Sequence, residues 1–203
     1  EVPNPSTLFL NPERGPVSGA AVFAGIEGTR PVLVEIQALV APGPPGSPRR
    51  TVVGWDSGRL AMVLAVLEAR AGLSLGNSDV FLNVAGGLRI AEPAADLAIA
   101  LAVASSMMDR PVDDSIAVAG EIGLSGELRS IPRADRRVAE AGRLGFDSCM
   151  IPDAVGDASK PRGVKVVRPT NIAEAVRFAL QTAEDAGSSG SGSGSSRGVS
   201  SSM

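Results

Sequence analysis

Hydrophobic and polar positions change period several times along the chain, and each change predicts an element. Val32, Val34, Ile36 and Ala38 alternate with Leu33, Glu35, Gln37 and Leu39. That period of two predicts a half-buried strand over Pro31–Val40, paired with a strand over Ala20–Gly25 through a turn at Glu27-Gly28-Thr29. Residues 41–48 read APGPPGSP, and four prolines with two glycines predict an exposed loop. The chain returns as a strand over Arg49–Trp55. Leu60, Val63, Leu64 and Leu67 then fall at helical spacing, with Asp56 or Ser57 as N-cap and Gly72 as the stop.

The remainder repeats this logic. Asp79–Ala85 predicts a strand, followed by a Gly86-Gly87 turn. Pro93 opens a helix, PAADLAIALAVASSMM, that is apolar nearly all round and therefore buried on several sides. Ser115–Ala119 reads as a strand and EIGLSGELRS as a hairpin turning near Ser125-Gly126. Pro132–Leu144 forms a third helix stopped by Gly145. Short strands at Ser148–Ile151 and Val164–Val167 precede a last helix, IAEAVRFALQTA, capped by Asn171. Gly86, Gly87 and Gly120 read as turn glycines with positive φ. Strands followed by alternating strands and helices predict an α+β or mixed α/β domain over residues 1–185, with 1–20 as a lead-in. Residues 186–203 are a Gly/Ser-rich flexible tail without apolar periodicity.

Composition mainly removes options. The 203 residues contain no histidine, which excludes Ser-His-Asp triads and histidine-ligated metals. Two lysines, Lys160 and Lys165, stand against 17 arginines, and no G-x-x-x-x-G-K-[ST] occurs, so no P-loop lies in this sequence. Cys149 is the single cysteine, which fits a reducing, cytoplasmic setting. No stretch of about 18 uncharged apolar residues is present to span a membrane.

The net charge of −3 argues against a general nucleic-acid coat. Arginines nevertheless cluster. Residues 29–59 hold Arg30, Arg49, Arg50 and Arg59 against Glu35 and Asp56. Residues 129–143 hold Arg129, Arg133, Arg136, Arg137 and Arg143 against Asp135 and Glu140. Guanidinium groups suit bidentate phosphate contact. Each also has a plainer reading: Arg30 capping a carbonyl or pairing with Glu27, Arg49 and Arg50 as solvated charge, Arg136 and Arg137 as surface pairs with Asp135 and Glu140. Arg59 stands at a helix N-terminus, an unfavourable place for a cation unless another contact holds it.

Several long stretches in fixed order resemble the RadA family. They are NPSTLFL (Asn4–Leu10), EGTRPVLVEIQALV (Glu27–Val40), PRR (Pro48–Arg50), RLAMVLAVLE (Arg59–Glu68), DVFLNVAGG (Asp79–Gly87), ADLAIALAVASS (Ala95–Ser106) and GEIGLSGELRSIP (Gly120–Pro132). The resemblance covers roughly residues 3–180. It implies a parent with a zinc finger, a RecA-like ATPase core and a C-terminal domain similar to the Lon protease domain, to which this chain corresponds. ATP, Mg and Zn would then belong to the other two parts.

Lon-type proteases use a Ser-Lys dyad, the serine in P-S-A-G at a helix start. The matching stretch here is Pro93-Ala94-Ala95-Asp96, and the lysine position falls on Asp135. The chemistry requires a hydroxyl beside an amine, so the resemblance implies an inactive protease fold. Ser105 and Ser106 lie further along the helix, where hydroxyls are expected to back-bond to carbonyls.

The resemblance further implies a hexameric ring that holds double-stranded or branched DNA without reading its sequence, beside the ATPase core and serving a recombinase. The DNA candidates are Arg30, Arg49, Arg50, Arg59 and Arg89, then Arg129 and Arg137. The alternative is an oligomerisation platform with no DNA contact. Small-molecule binding in the old cleft near Pro93–Asp96 is a remote third reading, because Asp96 is more simply a favourable charge at a helix N-terminus.

Overall fold

The computed structural model describes residues 10, 15–152 and 163–180. The expected boundary at residue 185 and the Gly/Ser tail fall outside the described residues. Among these described residues, nine strands and four α-helices follow in the order β1 Ala20–Glu27, β2 Arg30–Pro42, β3 Arg50–Val53, α1 Ser57–Ala71, β4 Ser78–Val84, α2 Asp96–Met108, β5 Ile116–Val118, β6 Glu121–Ile122, β7 Leu128–Arg129, α3 Ala134–Arg143, β8 Ser148–Met150, β9 Lys165–Val167 and α4 Ile172–Ala179. The result is a mixed α/β architecture. Seven strands form one sheet in the order β3-β4-β2-β1-β5-β8-β9, and β6 and β7 form a separate hairpin.

Only β2 runs against its neighbours in the large sheet. It pairs antiparallel with β1 and β4, while β3–β4, β1–β5, β5–β8 and β8–β9 are parallel. Register puts Ala21, Phe23, Val34, Ile36, Ala38 and Leu82 on one face, and all are buried. The opposite face carries Ala24 and Leu33, also buried, but further along it Leu39 and Val53 are exposed. The alternation read from β2 therefore holds for only part of the strand. Leu33 is covered because α3 crosses that end, which period-two reasoning has no means to anticipate.

The helices begin and end where local chemistry directs. The Asp56 carboxylate accepts from Arg59 N–H at 2.6 Å as N-cap of α1, and Gly72 closes the helix at φ 72°. In α2 every residue from Asp96 to Ser105 is buried. Leu97, Ile99, Leu101 and Val103 are fully covered, each adding about 1.5–3 kcal/mol of apolar burial. The helix expected from Pro93 starts as a single 3-10 turn, Pro93–Ala95, before α2 proper. The expected start of α3 at Pro132 shifts to Ala134, because Arg133 takes a left-handed φ of 56°.

Gly120 departs from its expected role. Gly86 and Gly87 have φ of 71° and 68°, but Gly120 is not in the positive-φ region. It is small for another reason: a Cβ there would lie 3.1 Å from Pro152 Cγ and 3.2 Å from Leu97 Cδ2. That closeness lets Gly120 join β5 to α2, donating to Ala94 O at 2.8 Å and accepting from Leu97 N at 3.0 Å.

Candidate nucleic-acid interface

Because β2 alone is reversed, six strands of the sheet end at the same edge, and α1 and α2 start there. In open α/β sheets such a carboxyl edge is where ligands are met. The β1–β2 turn, Gly28-Thr29, projects from it. Arg30 opens β2 beside this turn, opposite Glu27. Arg89 lies between Leu88 and Ile90, which pack on Val32 and Val34 at the same edge. Two arginines of the α3 start close the group: Arg133 Nη1 donates to Gly28 O at 2.9 Å and Arg136 Nη1 to Thr29 O at 3.2 Å. All four are exposed, and Arg30 and Arg89 make no ion pair with a described residue.

Arg133 and Arg136 belong to the arginine cluster visible in the sequence but not to the residues singled out from it. Their role depends on α3 lying across the β1–β2 hairpin, a contact over a hundred positions apart in the chain. The unusual φ of Arg133 has no signature in its residue type.

The other expected DNA contacts separate into three situations. Arg137 is 1% exposed and faces inward, a placement that corrects its reading as a surface contact. Its guanidinium donates to Ala24 O at 2.7 Å, Pro132 O at 3.1 Å and Glu92 Oε2 at 2.6 Å, while Glu92 Oε1 also accepts from Ile26 N at 2.8 Å. A buried cation needs such saturation. Arg59 is held by Asp96 and lies 3.6 Å from Glu121, with a quarter of its side chain exposed. Arg129 is exposed and paired with Glu127 at 3.0 Å.

Arg49 and Arg50 stand at the opposite edge. Arg50 pairs in register with Val80, itself opposite Val40, ten residues along β2 from Arg30. At strand rise this is about 33 Å. Arg49 grips Asp79 through its backbone N–H at 2.7 Å and Nε at 2.8 Å, with its guanidinium 5.9 Å from the Phe81 ring centre. That backbone N–H, with the guanidinium second, holds the Asp79 carboxyl below the usual carboxylate range. Arg50 donates to the carbonyls of Ser78 and Leu75. The seven candidates thus do not form one surface.

The two positions matched to a Ser-Lys dyad hold no such groups. Ala94 is 3% exposed with its carbonyl engaged by Gly120, and Asp135 is an exposed residue in the first turn of α3. Beside Ala94, Asp96 is fully buried and accepts from Arg59 Nε at 2.6 Å, Arg59 Nη2 at 2.7 Å and Ile122 N at 3.0 Å. Burial pushes its carboxyl up, and Arg59 and the Ile122 N–H oppose that push.

Ser105 and Ser106 do not back-bond within α2 as expected. Ser105 Oγ accepts from Gly19 N at 2.9 Å and donates to Arg110 O at 2.5 Å, and Ser106 Oγ accepts from Val40 N at 2.9 Å. Both hydroxyls satisfy backbone groups that adjoining segments leave open. Burial pushes the Cys149 thiol up to about 12. No helix among the described residues is long and apolar enough to cross a membrane.

The chain is also similar in sequence to known proteins. Residues 57–155, from α1 past β8, match the family model described as subunit ChlI of Mg-chelatase. The DNA repair protein RadA of Brucella abortus is 53% identical over 176 residues, 87% of this chain and 38% of that protein. The RadA protein of Bacillus subtilis is 47% identical over 181 residues, 89% of this chain and 40% of its own length. The RadA protein of Synechocystis is 43% identical over 193 residues, 95% of this chain and 38% of that protein. The chain spans about two-fifths of the length of the curated relatives it matches. With identity this high over nearly all of its own residues, the chain belongs to the RadA family.

Proposed function

We propose that the chain is a proteolytically inactive, Lon-like scaffold domain of a cytoplasmic DNA repair protein, and that it holds duplex DNA through its carboxyl edge. The observation that carries this reading is the gathering of Arg30, Arg133 and Arg136 around the Gly28-Thr29 turn, with Arg89 at the same edge of the sheet. Two of them are oriented by backbone carbonyls and two extend into solvent, which suits phosphate contact without base reading. The names of the relatives supply the context of DNA repair.

The Lon-like assignment is supported by topology. The position matched to the nucleophile lies in the 3-10 turn that leads into α2, and the position matched to the lysine follows the β6–β7 hairpin at the start of α3. Ala94 and Asp135 cannot perform acyl transfer, since neither supplies a nucleophile or a neutral amine. Assembly into a six-membered ring, attachment to an ATPase core that uses ATP and Mg, a zinc finger elsewhere in the parent and service to a recombinase are parts of the same proposal.

The test is binding to a labelled 30-base-pair duplex by fluorescence anisotropy across a salt series. Affinity that falls steeply with salt, equal for unrelated sequences, supports the reading. A purely structural platform, the alternative, shows no binding at low salt from a sample of demonstrated oligomeric state.

A further inference from the structure

The sheet face crossed by α3 is only half covered. Register places Val22, Glu35, Leu39, Phe81 and Val53 on that face, and α3 stops short of them at Arg143. Past its end, a cavity of about 300 Å³ opens between Leu144–Phe146 and Val22, Glu35, Asp113 and Asp114. A second, of about 470 Å³, lies over Leu39, Val53 and Phe81. Ala20 lines both, so they form one groove. It crosses β5, β1, β2, β4 and β3, a span of about 19 Å at ordinary strand spacing.

The groove has polarity as well as shape. Its far end is apolar and open, with Leu39 57% and Val53 52% exposed on the strands either side of β4. Its near end is rimmed by the exposed carboxylates of Asp113 and Asp114, and no basic residue lines either cavity among those described. Sheets with helices on one face commonly bury the other as well. Here α3 already shows how a helix lies on this face.

The geometry points to this groove as the docking site of an amphipathic helix from a partner protein, apolar along one stripe and basic along its flank. A span of about 19 Å takes about 13 residues of helix. Apolar anchors at i, i+3, i+4 and i+7 would cover Leu39, Phe81, Val53 and Val22. Lysine or arginine at the near end meets the Asp113 and Asp114 carboxylates, which sets the direction of the helix and disfavours an acidic one. Nucleic acid is a poor occupant, because the rim repels phosphate. This site is independent of the arginine edge and goes beyond the DNA reading.

The test uses fluorescein-labelled 14-residue peptides titrated with the chain and read by anisotropy. One has leucines at helical spacing with lysines elsewhere, a second replaces the lysines by glutamates, and a third scrambles the leucine spacing. The Leu/Lys helix is expected to saturate, with the other two at least about tenfold weaker. Leu39→Glu should weaken it about tenfold and Asp114→Lys about threefold, with the circular dichroism spectrum and Tm unchanged because both positions are exposed. Equal affinity for all three peptides overturns the proposal, as does Leu39→Glu without effect. Self-association that Leu39→Glu abolishes, with no peptide binding, also overturns it and gives the groove to a second copy of the chain.

Discussion

Arg59 and Asp96 form a two-point ion pair, Nε to Oδ1 at 2.6 Å and Nη2 to Oδ2 at 2.7 Å, that joins the first turn of α1 to the first residue of α2. It explains why a cation tolerates a helix N-terminus: the carboxylate outweighs the unfavourable dipole. The pair is asymmetric, with Asp96 fully buried and Arg59 a quarter exposed. Arg59→Ala strands a buried carboxylate and should cost about 3–5 kcal/mol in urea unfolding. Asp96→Ala leaves a cation that can turn toward water and should cost less. The double change Arg59→Met/Asp96→Leu should recover much of the loss. Equal costs for the two single variants would contradict the asymmetry.

The split of the arginines gives a contrast experiment. Arg30→Glu and Arg89→Glu each remove an exposed charge at the carboxyl edge and should weaken duplex binding about tenfold at low salt, with a shallower salt slope. Arg49→Glu acts about 33 Å away at the start of β3 and should leave DNA affinity nearly unchanged while costing stability through Asp79. Arg133→Glu should fall with the first group. If Arg49→Glu weakens binding as much as Arg30→Glu, the carboxyl edge is not the interface.

Local signals carried most of the elements. Asp56, Gly72 and Asn171 mark their helix ends by side-chain or backbone chemistry that acts within a few residues. The alternation in Val32–Leu39 identifies β2 because register to two neighbours preserves it. Long-range relations were not legible in the same way. The burial of Arg137, the hold of Arg133 and Arg136 on the Gly28-Thr29 turn, and the Arg59–Asp96 pair all join distant segments. Charge clustering showed that arginines matter in residues 129–143 but not which of them face inward. Ser105 and Ser106 teach the same lesson, since their partners Gly19 and Val40 lie on segments far away in the chain.

Cys149 offers a direct readout of core integrity. It sits in β8 with no exposure, and burial pushes its thiol up to about 12. The thiolate is the reactive form, so the native protein should not react with a colorimetric disulfide reagent at pH 8 over an hour. Denaturant should release one equivalent per chain. Arg137→Met, which removes the cation that ties Ala24, Pro132 and Glu92 together, should loosen the packing of α3 on the sheet and let Cys149 react at a measurable rate without denaturant. A native-state rate equal to that in denaturant would show that the core does not enclose β8.

Acid stability should follow Asp79. Its carboxyl is held below 3.8, chiefly by the Arg49 backbone N–H, so the folded state favours the ionised form. A depressed folded pKa stabilises the protein at pH values above the unfolded pKa, and that contribution is lost as pH falls through the folded value. Asp79→Asn removes the charge in both states. The variant should be less stable than the parent at pH 7, and the gap should close as pH drops below about 3.8. Glu174, held down by the Thr170 backbone N–H and hydroxyl, contributes in the same direction and remains in the variant. Urea unfolding of parent and variant between pH 7 and pH 3 separates the two, because only the Asp79 part is missing from the difference curve. A gap that is constant with pH would mean that Asp79 acts through packing of the Arg49 turn and not through its charge.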